Sequence, residues 1–142
     1  MVYELITKTT CYVLDASSLI EIEGANGKGL KYLPAYPGKW LVVPSKVAKE
    51  VNSRGASKET KEWISKGKAA SFSCDDEGKL YMRLLVQERA LDDPDIEGIV
   101  IAYHRKGTYV VEEGPATNVA TKLGISTINA RQFLDMVRPS LL

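Results

Sequence analysis

Four short apolar runs, each followed closely by a helical pattern, set the tightest limit on how this 142-residue chain can fold. They are CYVL (11–14), WLVV (40–43), TYVV (108–111) and ISTI (125–128). None alternates apolar with polar residues, as a strand with one wet face would, so each reads as a strand buried on both sides. Between and after them lie the helical stretches 17–23, 45–54, 57–67, 75–91, 92–106, 116–124 and 129–137. Val47 and Val51 fall at i, i+4, and Ile96, Ile99, Val100 and Tyr103 form a second stripe. Local chemistry marks the boundaries. Pro44 suits a first helical turn, Ser57 an N-cap, and Asp93 an N-cap with Pro94 at the first helical position, while Gly67 and Gly124 close helices. AASFS (69–73) reads as a further short strand, and YLPAYPGK (32–39), broken by two prolines, as irregular. Strands alternating with helices through short connections predict an α/β fold with a central, mostly parallel sheet covered on both faces. The length suits one domain, 1–142, in which residues 1–10 form an N-terminal extension before the first strand.

Composition removes several classes of function. Hydrophobic residues at 44% and charged residues at 26% describe a globular chain rather than a disordered one. No apolar run approaches the ~18 residues that span a bilayer, and the first ten residues lack a signal-peptide pattern, so a cytoplasmic protein without membrane contact is expected. Two cysteines, Cys11 and Cys74, neither in a CxxC pair, read as reduced thiols. A single histidine, His104, rules out sites that need two, and its place near a helix C-terminus suits a surface or dipole-compensating role. There is no GxSxG elbow, and no GxxxxGK[ST] or GxGxxG loop. The net charge of +1 is uninformative, but its distribution is not. Residues 46–68 hold seven bases against three acids, and residues 75–97 hold eight acids against three bases.

In a parallel sheet the ligand site lies beyond the carboxyl ends of the strands. Carboxylates fall near that rim at four places. Asp15 follows the first strand, and Glu50 borders the apolar stripe of the helix after the second. Asp95 lies in the first turn of the helix before TYVV, with Asp93 beside it, and Glu112 and Glu113 follow that strand. Each has a plain structural reading as a cap or a solvated charge. Gathered together they would repel, and a cation would relieve the repulsion. Oxygen donors without His or Cys suit Mg²⁺ or Mn²⁺.

The order of these segments resembles the PIN-domain family of nucleases over nearly the whole chain. YVLDASSLIE (12–21) is similar to the family's first motif, LVVPSKVAKEV (41–51) to its second, DPDIEGIVIA (93–102) to its third, and 108–136 to its last. YPGKW (36–40) and the helix with Trp63 resemble a prokaryotic PIN-like branch related to VapC-type toxins. The resemblance implies a three-layer α/β/α fold and Mg²⁺- or Mn²⁺-dependent endoribonuclease activity, in the setting of a type II toxin–antitoxin pair. It implies an acidic quartet of Asp15, Glu50, Asp95 and Glu113, with Glu112 and Asp93 as further candidates, and Ser17 orienting Asp15. Lys46 and Lys49 are expected to hold the RNA backbone. An antitoxin protein and a second copy of the chain are the implied partners. Val111 and Glu113 stand where the family's last motif usually has Thr and Asp. That departure raises the alternative of a catalytically weakened module that binds RNA or protein.

Overall fold

The structure is a computed structural model and describes residues 11–24, 29–34, 36–53, 56–67, 69–70 and 76–137. The expected N-terminal extension, Cys74 and most of the expected strand 69–73 lie outside the described residues; of that strand, Ala70 forms an isolated parallel bridge with Pro44. The strands are β1 (Tyr12–Leu14), β2 (Leu41–Val42), β3 (Thr108–Val110) and β4 (Thr127–Ile128). All pair in parallel, in the order β2-β1-β3-β4. The helices are α1 (Ala16–Gly24), α2 (Ser45–Ser53), α3 (Lys58–Lys66), α4 (Asp76–Gln87), α5 (Asp93–Arg105), α6 (Pro115–Lys122) and α7 (Ala130–Val137). A short 3-10 turn, Gly29–Tyr32, occupies part of the segment before β2.

Period-two alternation along the strands divides the apolar residues between two cores. Tyr12, Leu14, Leu41, Val43 and Val110 face Leu19 and Ile22 of α1, Val47 and Val51 of α2, Trp63 and Ile64 of α3 and Phe133 of α7. Val13, Val42, Tyr109 and Val111 face Leu80 and Leu84 of α4, the Ile96–Ala102 stretch of α5 and Val119 of α6. The result is the expected three-layer α/β/α arrangement. The apolar character of β1 follows from its central position, with neighbours on both edges and helices on both faces. At the edge of the sheet, Thr127 and Ile128 of β4 are only half-buried. Among the described residues, no helix is long and apolar enough to cross a membrane.

Helix ends follow local chemistry closely. The Ser57 hydroxyl accepts the Thr60 N–H at 3.2 Å, and Gly67 follows the last turn of the same helix. At the start of α5 the cap is Asp92 rather than Asp93. Its carboxylate accepts the Asp95 N–H at 3.0 Å, the Asp95 carboxylate reaches back to the Asp92 N–H, and Pro94 sits one place further in than expected. His104 is exposed in the last turn of α5, edge-to-face with Tyr103. Lys106 ends that helix in the left-handed region with φ 56°, and Gly107 then passes close beside Cys11, just before β1. A Cβ at Gly107 would lie 2.6 Å from Cys11 Sγ and 2.9 Å from its carbonyl oxygen. Gly107→Ala is therefore expected to destabilise the chain by about 1–3 kcal/mol, since the neighbour includes backbone that cannot yield. Urea denaturation measures this, and a loss under about 0.5 kcal/mol would show the approach to be looser than described.

Candidate metal centre

The chain leaves β1 toward β2 on one side, and β3 lies on the other side of β1. Such a reversal opens a crevice between the carboxyl ends of the two central strands. Asp15 stands immediately after β1, and Glu112 and Glu113 stand two and three residues after the end of β3. Helices α1, α2, α6 and α7 each follow a strand, so their N-termini start at this rim. Helix α5 runs back toward the amino end of β3, which places its own N-terminus, with Asp92, Asp93 and Asp95, at the same rim.

Asp15 is 7% exposed and performs the plain role first. Its Oδ1 accepts the Ser18 N–H at 2.7 Å and so caps α1. The Asp15 N–H donates to the Val110 carbonyl at 3.2 Å, tying the cap to β3. Ser17, expected to orient Asp15, is exposed. That task falls to Ser18, which is fully buried and also donates from Oγ to the Val110 carbonyl at 2.9 Å. A carboxylate offers about four lone-pair sites, so a single cap on Oδ1 leaves capacity on the second oxygen. Burial raises the Asp15 pKa, the Ser18 hydrogen bonds oppose this, and the charges of Glu112 and Glu50 raise it further.

Asp95 is half-buried, and its pKa is raised to about 7, first by burial, then by Asp92, with Asp15 contributing across the crevice. Asp15, Glu50, Asp95 and Glu112 therefore occupy one electrostatic neighbourhood. Asp93 is exposed at the first position of α5. Glu112 is half-buried, and its Oε1 accepts the Ala130 N–H at 3.1 Å, at the start of α7. Glu113 is exposed on the bend before α6.

The PIN-domain profile matches residues 11–130, which is most of the chain and includes every acid named above. This chain belongs to the PIN-domain family. Two solved structures share the fold. PAE2754 from Pyrobaculum aerophilum is 17% identical, with a TM-score of 0.64 over 91% of this chain and 97% of that one. A PilT N-terminus domain protein, SSO1118 from Sulfolobus solfataricus P2, is 18% identical, with a TM-score of 0.56 over 92% and 96%. No protein with a curated description matches.

PIN domains generally carry a nuclease fold and typically use divalent metals, and the donor chemistry here suits such an ion. The rim offers carboxylate oxygens whose mutual repulsion and burial raise the pKa values of Asp15 and Asp95. The Tyr109 hydroxyl, wholly buried and without a hydrogen-bond partner, lies within reach of the charges of Asp15, Asp95, Asp92 and Glu50. Among the described residues, no three His, Cys, Asp or Glu side chains converge closely enough to ligate one ion together.

Two further side chains shape the site. Glu97 is 2% exposed and points from α5 to the N-terminus of α2, where it accepts the Lys46 N–H at 2.7 Å and the Ser45 hydroxyl at 2.9 Å. It thereby fixes the helix carrying Glu50 against the helix carrying Asp95. The sequence signal was a helix start at Ser45 with no acid of its own in the first turn. Lys46, expected to reach a phosphate, instead places its ammonium on the Tyr81 hydroxyl at 2.6 Å, while Lys49 is exposed.

Glu97→Ala is expected to cost about 2–3 kcal/mol by leaving the Ser45 and Lys46 donors unmatched in a partly buried place; chemical denaturation measures it. The raised pKa of Asp95 sets a pH dependence. In metal-free protein the unfolded chain loses this proton near the ordinary value of 3.8, whereas the folded chain holds it to about 7. Stability from this group is thus present at low pH and is lost as pH rises through that window. Asp95→Asn should flatten the decline and raise stability at pH 8 by roughly 1–2 kcal/mol, discounted for solvent screening. Melting curves in EDTA at pH 4.5 and 8 test this, and an unchanged pH slope in the variant would contradict the coupling.

Proposed function

We propose that this PIN domain is a Mg²⁺- or Mn²⁺-dependent endoribonuclease and that it acts as the toxin of a toxin–antitoxin pair. The observation that supports the reading is the gathering of Asp15, Glu50, Asp95 and Glu112 into one field at the crevice between β1 and β3. Asp15 and Asp95 would hold the ion directly, with Glu50 and Glu112 completing the shell directly or through water. Glu112 takes the fourth place in preference to Glu113 because its charge reaches Asp15 and its carboxylate is fixed on α7. The bound ion would supply a water of lowered pKa and neutralise charge on the phosphodiester. The protein's own part is to hold its two central carboxylates oriented, Asp15 through Ser18 and Asp95 through the first turn of α5, while the charge of the ion would favour their ionised forms. Exposed Lys49 on α2 would meet the RNA backbone, and hydrolysis would leave a 5′-phosphate.

A binding module without catalysis is the second reading. It is favoured by Val111 and Glu113 at positions where the family motif usually has Thr and Asp. Calorimetry with Mn²⁺ separates the two, since a module without the metal centre should show no binding at millimolar concentration.

Asp15→Asn keeps an oxygen to cap α1 but removes the ligand charge. It should retain the parent's melting temperature within a few degrees and reduce Mn²⁺-dependent cleavage of single-stranded RNA by at least about 100-fold. If the variant cuts as fast as the parent, the site is elsewhere.

A further inference from the structure

We propose that the Tyr109 hydroxyl is a positioning group of this centre, kept without a partner in the metal-free protein so that it can donate a hydrogen bond to the Asp95 carboxylate once a divalent cation draws that group in. The inference deepens the metal-centre reading above and rests on it.

Tyr109 lies in β3, is 0% exposed, and its hydroxyl has no hydrogen-bond partner. A buried phenol ordinarily finds one, because leaving a polar group unmatched inside a protein is costly. The location shows where a partner would come from. The ring packs against Gly98 of α5, and a Cβ added there would lie 2.9 Å from Tyr109 Cε1 and 3.0 Å from its hydroxyl oxygen. Gly98 is three residues after Asp95, so both lie on the same face of α5, one turn apart. The missing side chain at 98 is what makes room for the phenol against α5, one turn from Asp95. Asp95, for its part, is weakly committed, since it accepts the Asp92 N–H at a long 3.4 Å. Burial first, and then the negative charges of Asp15, Asp95, Asp92 and Glu50, push the Tyr109 hydroxyl well above the usual phenol range, which favours its protonated, donating form. A phenylalanine in place of Tyr109 keeps the ring in the same core and removes only the unmatched hydroxyl.

The test compares parent, Tyr109→Phe, Asp95→Asn and the double variant, using Mn²⁺ calorimetry together with melting in EDTA. The parent is expected to bind Mn²⁺, and Tyr109→Phe to bind it about tenfold more weakly, the scale of one hydrogen bond to a charged group. In EDTA, Tyr109→Phe should melt no lower than the parent, because it removes an unmatched group. In the Asp95→Asn background the Tyr109→Phe change should have no further effect on Mn²⁺ affinity. Gly98→Ala, which pushes the phenol aside, should weaken Mn²⁺ binding in the same direction with some loss of stability. Equal Mn²⁺ affinity in parent and Tyr109→Phe would overturn the inference and leave the metal centre standing. A drop in melting temperature that is the same with and without Mn²⁺ would also overturn it, by showing a purely structural hydroxyl. A parent that binds no Mn²⁺ at millimolar concentration would overturn the metal-centre reading and this inference with it.

Discussion

Carboxylates at the carboxyl rim of the sheet are anchored by peptide N–H groups at the starts of helices, and much of the site depends on that pairing. Asp15 holds the first turn of α1, Glu97 that of α2, Asp92 and Asp95 that of α5, and Glu112 that of α7. The first N–H groups of a helix have no partner within it, and the aligned peptide dipoles leave partial positive charge at that end. A parallel sheet whose strands each lead into a helix collects several such ends on one side. Acids are stabilised there one at a time by ordinary capping. Their convergence is then a property of the topology rather than of any attraction among them.

Asp15 is first of all a cap, and that cap is compatible with a further role because the Ser18 N–H engages only one carboxylate oxygen. The cap fixes the side-chain rotamer, which is what a ligand needs, and the amide partially offsets the burial that pushes the carboxyl toward its neutral form. The offset is incomplete for Asp15 and smaller still for Asp95, where the neighbour is another acid. The residual repulsion is stored in the folded chain, and a divalent ion is the kind of ligand that releases it.

The architecture was legible in the sequence because the strands are short, apolar and regularly spaced among helices, and because their alternation assigns each residue to one of two cores. Helix ends were legible where one residue type dominates, as at Ser57 and Gly67. They slipped by one position at Asp92-Asp93, where two equivalent acids stand side by side and the proline tolerates either register. The family motif points to Ser17, the residue nearer the acid, whereas the structure uses Ser18. Capping geometry favours the third residue after the cap, and that residue is Ser18. Glu97 and Tyr109 were not legible. One reads as a helical surface charge beside an apolar stripe, the other as an aromatic in a strand, and only the packing of α5 against α2 and β3 shows that the first meets the start of α2 and the second is left without a partner.

The paired acids after β3 show how a single position decides what a side chain meets. Val111, just before them, still points into the core shared with α5, and its N–H still bonds across to the Ile128 carbonyl at 2.9 Å. The residue after it therefore turns toward the opposite face, where α7 begins, and Glu112 finds the Ala130 N–H. Glu113 has left the sheet's constraint and lies on the bend that Gly114 completes, with φ 158°, before Pro115 opens α6. A glutamate at 112 has one methylene more than an aspartate. That extra reach lets it be fixed on α7 while its charge remains close enough to act on Asp15. The departure from the family's usual aspartate falls one residue later, at Glu113, which is exposed and outside that bond.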